Sequence, residues 1–168
     1  RLVNELFDNF SADKAELASM VFEKCEEYMK INVIKAISDY CLFEFEPMYI
    51  EGMSSKNPAM RIACVKALGD LANPKNEQLL ITATYDKDWV VRSSAVKGLG
   101  KIDTPRSLEG IKEAIKDKEW WVRQAAAGAL INRNVSISDI EDILGGYDKY
   151  AADAVKYALY RSVDIKEG

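Results

Sequence analysis

The stretch Asp86-Lys87-Asp88-Trp89-Val90-Val91-Arg92-Ser93-Ser94-Ala95-Val96-Lys97-Gly98-Leu99-Gly100 has a recognisable copy 31 residues further on and a blurred one 31 residues earlier. Arg61, Arg92 and Arg123 keep that interval, as do Met60, Val91 and Val122, then Leu68, Leu99 and Leu130, and Pro74 and Pro105. Within a copy the apolar positions recur every four residues, Val91, Ala95 and Leu99 or Val122, Ala126 and Leu130, which puts them on one face of a helix. A unit of this length cannot bury its apolar face alone, but a file of such units can. The expected fold is all-α, a right-handed α-α superhelix (solenoid) of about five two-helix repeats, with residues 1–168 as a single domain.

Turn chemistry sets the expected units. The clearest, 76–102, carries Leu79, Leu80 and Ala83 on its first helix, turns at Asp86-Lys87-Asp88, and packs Val91, Ala95 and Leu99 from its second. The unit at 107–132 repeats the plan with Leu108, Ile111, Ala114 and Ile115, then Asp117-Lys118-Glu119, then the second helix. At 46–72 a short helix from Pro47 to about Met53 precedes a longer one from Pro58 to Leu71, with Asn57 as N-cap, Pro58 in the first turn, and Gly69 and Asn73-Pro74 closing the pair. A degenerate unit at 12–43 puts Lys30 in the Arg61 position and aligns Val33, Lys35, Ala36 and Ile37 with Cys64, Lys66, Ala67 and Leu68. Before it, Leu2, Val3, Leu6, Phe7 and Phe10 form an apolar stripe, and Ser11 is a candidate N-cap. The last unit, 137–163, keeps Ile140, Ile143, Leu144 and Asp148-Lys149 but has Ala154 in place of Arg, the drift expected of a capping repeat. Tyr147, Tyr150, Tyr157 and Tyr160 are expected to close its core.

Composition narrows the function. With 48% hydrophobic and 30% charged residues, the 168-residue chain is ordinary globular material, long enough for a sizeable core. No apolar run approaches the ~20 residues that span a bilayer, so no membrane contact is expected. The formal charge is -4, with 5 Lys/Arg against 11 Asp/Glu in the first 55 residues, and an acidic chain without a basic stripe is not expected to bind nucleic acid. Cys25, Cys41 and Cys64 read as buried thiols of a reducing compartment, hence a cytoplasmic protein. The opening Arg1 in place of Met suggests a domain taken from a longer chain.

Chemistry is limited as well. The chain has no histidine, which removes Ser-His-Asp and Cys-His catalysis and imidazole-ligated metals. Gly98-Leu99-Gly100 and Gly145-Gly146 are helix ends without the lysine and strand context of a phosphate loop. No catalytic residue, metal or cofactor is assigned.

Asp86, Val91-Arg92, Ala95 and Leu99-Gly100 resemble the HEAT-like repeats of the phycobilin-lyase type, over about residues 30–160 and most strongly over 55–131. The resemblance implies a ladder of internal ties in which Asp86 and Asp117 pair with Arg92 and Arg123 of the same or the adjacent unit, with Arg61 as the earlier member. It also implies that second helices line a concave surface whose variable positions bind a partner: Pro58, Ala59, Ile62, Ala63 and Lys66; Trp89, Val90, Ser93, Ser94 and Lys97; Trp120, Trp121, Gln124, Ala125 and Gly128. All three tryptophans fall in that set, and tryptophan is enriched among residues that dominate interface energy; for Trp89 and Trp120, one period apart, packing between repeats is the alternative. The expected function is a non-catalytic scaffold that binds a protein or peptide on this face. A bilin lyase or small-ligand chaperone, and a cytoplasmic regulatory domain of a larger protein, remain as alternatives.

Overall fold

A computed structural model describes residues 22–38, 43–133 and 135–167. The stripe at residues 2–10, the Ser11 cap and Cys41 lie outside the described residues. Among the described residues every regular element is helical. The chain forms two compact units, Arg1–Leu71 and Ala72–Gly168.

In the first unit, α1 (Glu27–Ser38) and α2 (Glu46–Gly52) both pack on α3 (Pro58–Leu71). A short 3-10 turn, Phe43–Phe45, leads into α2, which has Pro47 in its first turn. Ile34, Ile37, Tyr49, Cys64 and Leu68 are fully buried, each such aliphatic side chain contributing roughly 1.5–3 kcal/mol. Gly52 lies so close to α3 that a Cβ there would collide with Cys64 Sγ. Burial pushes the Cys64 thiol up to about 12, so it stays protonated at neutral pH; Cys25 is half-buried rather than buried. Gly69 does not close α3 as the sequence suggested. It is buried inside the helix, which runs on to Leu71 and ends at Ala72, a left-handed residue with φ 49. The Asn73 side chain then accepts from the Lys75 amide at 3.1 Å to cap the next turn.

The second unit contains α4 (Glu77–Ala83), α5 (Trp89–Leu99), α6 (Pro105–Ala114), α7 (Trp120–Asn132), α8 (Ile137–Gly145) and α9 (Lys149–Glu167). The second helices α5, α7 and α9 lie in a row, with α7 between the other two; α4, α6 and α8 pack on α5, α7 and α9 respectively. Position in the row explains composition. A helix with neighbours on several sides needs small apolar residues, and α7 meets the need with Ala126, Ala127 and Ala129, all buried. A Cβ on Gly100 would lie 3.0 Å from Ala129 Cβ, so the Leu-Gly ending of α5 permits the close approach to α7. The outer helix α6 is instead two-sided, Ile111 and Ala114 inward and Arg106, Glu109 and Glu113 outward. Leu80 and Ala83 of α4 are buried while Leu79 is half-buried, and Ile140, Ile143 and Leu144 of α8 are only half-buried.

Side-chain fasteners also tie the start of α6 to the end of α7. Thr104 and Ser107 form a reciprocal capping box at the start of α6. The buried Ser107 hydroxyl accepts from Arg133 Nη1 at 2.7 Å, while Arg133 Nη2 reaches Asp103 at 2.9 Å. The tyrosines expected to close the last core are surface residues, with Tyr147, Tyr150, Tyr157 and Tyr160 all exposed. Smaller side chains fill that core, Ala151, Ala152, Ala154 and Val155, and a helix packed through alanines leaves no room for phenol rings between it and α7.

Candidate functional site

Each second helix is entered in the same way. The side chains of Ser55, Asp86, Asp117 and Asp148, one period apart, each accept from the amide two residues on, at 3.0, 2.8, 2.8 and 3.0 Å. The arginine in the first turn then reaches back over that bend. Arg61 Nη1 donates to the carbonyls of Ser55 and Lys56 at 2.9 and 3.2 Å, Arg92 Nη1 to those of Asp86 and Lys87 at 2.9 and 3.3 Å, and Arg123 Nη1 to those of Asp117 and Lys118 at 2.7 and 2.9 Å. The periodic arginine thus supplies donors to carbonyls that the turn leaves without intrahelical partners.

Arg92 does more. Its Nε and Nη2 form a two-pronged pair with Asp117 of the following repeat at 2.7 and 2.9 Å, with the two side chains 7% and 12% exposed. Burial pushes the Asp117 carboxyl upward, but the hydrogen bonds from Arg92 and the Glu119 amide, with the Arg92 charge, outweigh it and hold the carboxyl below its ordinary range.

Arg123 lacks that second half. Asp148 stands where the repeat would supply its carboxylate, but that side chain accepts from the Tyr150 and Ala151 amides at 3.0 Å each. The Arg123 guanidinium sits 5.8 Å from the Trp120 ring and 5.2 Å from the Tyr150 ring. Its Nε is buried without a hydrogen-bond partner, a state that costs about 1–3 kcal/mol or more for a charged group. Trp120 in turn meets Tyr157 edge to face at 5.7 Å.

The sequence-derived partner positions separate by exposure. Trp121 is 61% exposed, Trp89 40% and Trp120 37%. Lys97 is exposed; Val90, Ser94, Gln124 and Ala125 are half-buried. Ser93 is buried and offers nothing to solvent. Gln124 Nε2 is spent on the Ala154 carbonyl at 3.4 Å. Gly128 has open space where a Cβ would be, so the α7 face beyond Trp121 is unfilled. In the first unit, Pro58 and Lys66 are exposed and Ile62 half-buried along one face of α3. The second unit therefore brings Trp89, Val90, Ser94, Lys97, Trp120, Trp121 and Gln124 onto adjacent helices. It adds Tyr150 and Tyr157, which the repeat pattern missed because both lie in the degenerate repeat. Helices α5 and α7 contain Arg92, Lys97 and Arg123 and no Asp or Glu.

A separate cleft of about 480 Å³ lies between α6, α8 and the start of α9. Within it Lys112 Nζ is 2.8 Å from Asp139 and 3.6 Å from Glu109. The Lys112 hydrogen bond, followed by that of Ser136, holds the Asp139 carboxyl below its ordinary range. Among the described residues no cluster of His, Cys, Asp or Glu could hold a metal ion, and no helix is long and apolar enough to cross a membrane.

Among solved structures, the chain is similar to one in the complex of CpcE and CpcF of phycocyanin lyase from Nostoc sp. PCC7120. The identity is 20%, the match covers 86% of this chain and 97% of that one, and the TM-score is 0.63. No curated protein matches. Residues 46–131, just over half of the chain, match the family model of HEAT repeats. The turns and arginines at 55–61, 86–92 and 117–123 fall within that range, and the chain belongs to the HEAT-repeat family.

Proposed function

We propose that this chain is a non-catalytic scaffold that binds a protein partner across the second helices of its repeats. The observation that carries the reading is Trp121, 61% exposed on a packed helix beside the open surface at Gly128. An indole held in water by a rigid helix is a ready anchor, because little side-chain freedom remains to be lost on binding. Trp89, Val90, Ser94, Lys97, Trp120 and Gln124 extend the surface, with Pro58, Ile62 and Lys66 as its counterparts on α3. Arg61, Arg92, Asp86 and Asp117 are ties within the scaffold. The solved relative is itself one member of a two-protein complex, which agrees with a partner-binding role.

The test is site-specific photo-cross-linking in the native host, with a benzophenone side chain at position 121 or 94 and, as control, at the exposed Glu113 of α6. A discrete protein adduct from 121 and 94 and none from 113 supports the reading. Equal labelling from all three positions, or none from 121, sinks it. The fold shared with a phycocyanin lyase complex gives a second reading, a lyase-type subunit that handles a tetrapyrrole. That reading requires a visible absorbance change when a linear tetrapyrrole is added to the protein.

A further inference from the structure

Three arginines one period apart grip their own turns identically, yet only Arg92 has its fork closed by a carboxylate within the second unit. Arg123 is 8% exposed, its Nε has no acceptor, and its periodic acid is committed to two backbone amides. The site has aromatic walls: Trp120 and Tyr150 lie against the guanidinium, and Tyr157 backs Trp120. Tyr150 is 67% exposed, so one of those walls faces solvent. Of the basic residues on α5 and α7, Lys97 is exposed, Arg92 is spent on Asp117 and Arg123 is buried, and neither helix carries an acidic residue. A carboxylate fits all of these features. It accepts from Nε and Nη2 together, as Asp117 does for Arg92, and aromatic faces receive the apolar residues flanking it.

We propose that Arg123 is the specificity-determining contact of the docking face, and that the partner presents an acidic residue, flanked by apolar ones, which enters beside Tyr150 and closes the Arg123 fork. This rests on the second-helix reading above and adds the partner's chemistry to it. Tyr150 swings away from the guanidinium to admit the carboxylate, and Trp120 and Trp121 hold the flanking side chains. The exposed Lys97 of α5 adds one positive charge that favours approach of the acidic segment.

The probe is a blocked heptapeptide alternating leucine or phenylalanine with aspartate or glutamate, beside a counterpart in which every carboxylate is an amide. Both are titrated against the whole chain while the Arg123 Nε–H nuclear magnetic resonance signal and the tryptophan fluorescence are followed. The expected result is a shift of the Nε–H signal by the acidic peptide, binding at least about 10-fold tighter than the amide peptide, and loss of that preference in Arg123→Lys. The lysine variant keeps the charge and loses the fork. If it does not fold, the signal in the unsubstituted chain decides alone. An unmoved Nε–H signal, equal binding of the two peptides, or no binding overturns the carboxylate assignment. A fluorescence response lost in Trp121→Ala would still leave the docking face standing, and failure of that face shows separately in the cross-linking. Succinate binding as tightly as the peptide would make this a small organic-acid site instead. An Nε–H shift with protein concentration alone, accompanied by dimers in sedimentation, would make the occupant a second copy. Either outcome overturns the proposal.

Discussion

Replacing Asp117 by Asn tests whether the Arg92–Asp117 rung holds successive repeats together. Both side chains are nearly out of solvent, at 7% and 12% exposure, so the low worth of surface ion pairs does not apply. The substituted carboxamide would keep an oxygen for the Glu119 amide, and Arg92 would keep its grip on the Asp86 and Lys87 carbonyls. The loss is then confined to the fork, which puts the cost near the lower end of a broken buried pair, about 3 kcal/mol. Arg92→Met also removes the two carbonyl bonds and strands the carboxylate, so it should cost about 4–5 kcal/mol. The double variant leaves no uncompensated charge and should fall short of the sum by about 2–3 kcal/mol. All three tryptophans lie in the Ala72–Gly168 unit, so urea unfolding followed by their fluorescence reports on that unit. A coupling below about 0.5 kcal/mol, or single costs below about 1 kcal/mol, would show that the rung is as weak as an exposed pair.

Three further measurements follow from the same geometry. Because the Asp117 carboxyl titrates lower in the folded chain than its ordinary 3.8, its contribution is complete above that value and disappears as pH falls through the folded one. Urea midpoints of the unsubstituted and Asp117→Asn chains should therefore differ by a constant amount from pH 7 to about 5 and converge below about 4; a constant gap down to about pH 2.5 would contradict this. Gly52→Ala should cost about 1–3 kcal/mol through its collision with Cys64 Sγ, and in a Cys64→Ala background the penalty should drop below about 0.5 kcal/mol, read by circular dichroism melts. Ala72→Gly should stabilise by roughly 0.5–1 kcal/mol, because φ 49 strains an alanine and not a glycine; a lower melting temperature would refute the strain assignment.

The period made most of the helical plan legible, since identical residues 31 apart build identical turns. Asn57 and Asp88 cap α3 and α5 through the amides of Ala59 and Val90, as local side-chain chemistry dictates. Features set by competition between partners were not legible. Asp148 keeps the register of Asp117, but its carboxylate caps α9 instead of meeting Arg123, a choice made by the tertiary approach of α9. Ser93 and Ser94 are adjacent small polar residues, yet only Ser93 is buried, because neighbouring helices decide which side of α5 is covered. The tyrosines misled for a related reason. Aromatic residues at helical spacing imply a core only when no smaller set fills it, and Ala151, Ala152, Ala154 and Val155 do. Gly69 misled because glycine serves close packing within a helix as well as its termination.

The repeats also act as controls on one another, which separates the residues the fold requires from those it tolerates. Arg61, Arg92 and Arg123 occupy equivalent places and make the same pair of carbonyl contacts, so packing demands that side chain each time. One place in the period is occupied by Ala59, Val90 and Trp121, three side chains of very different volume on the same helical turn. A position that accepts alanine in one repeat has no structural need for an indole in another, and Trp121 is the most exposed of the three tryptophans. Trp120 is a mixed case, since its place is taken by Pro58 in one repeat and Trp89 in another, and it also contacts Tyr157 and the guanidinium of Arg123. The departures from the repeat gather on the middle helix of the row: Trp121 exposed, Gly128 with open space where a side chain would be, and Arg123 with its fork unclosed. Drift in a capping repeat would scatter such departures over α8 and α9, whereas Trp121 and Gly128 belong to α7, which otherwise keeps the periodic Val, Arg, Ala and Leu positions, and the Arg123 fork is open because Asp148 of the last repeat caps α9. Their grouping on a helix packed on both sides is the physical ground for the proposal that a partner is recognised there.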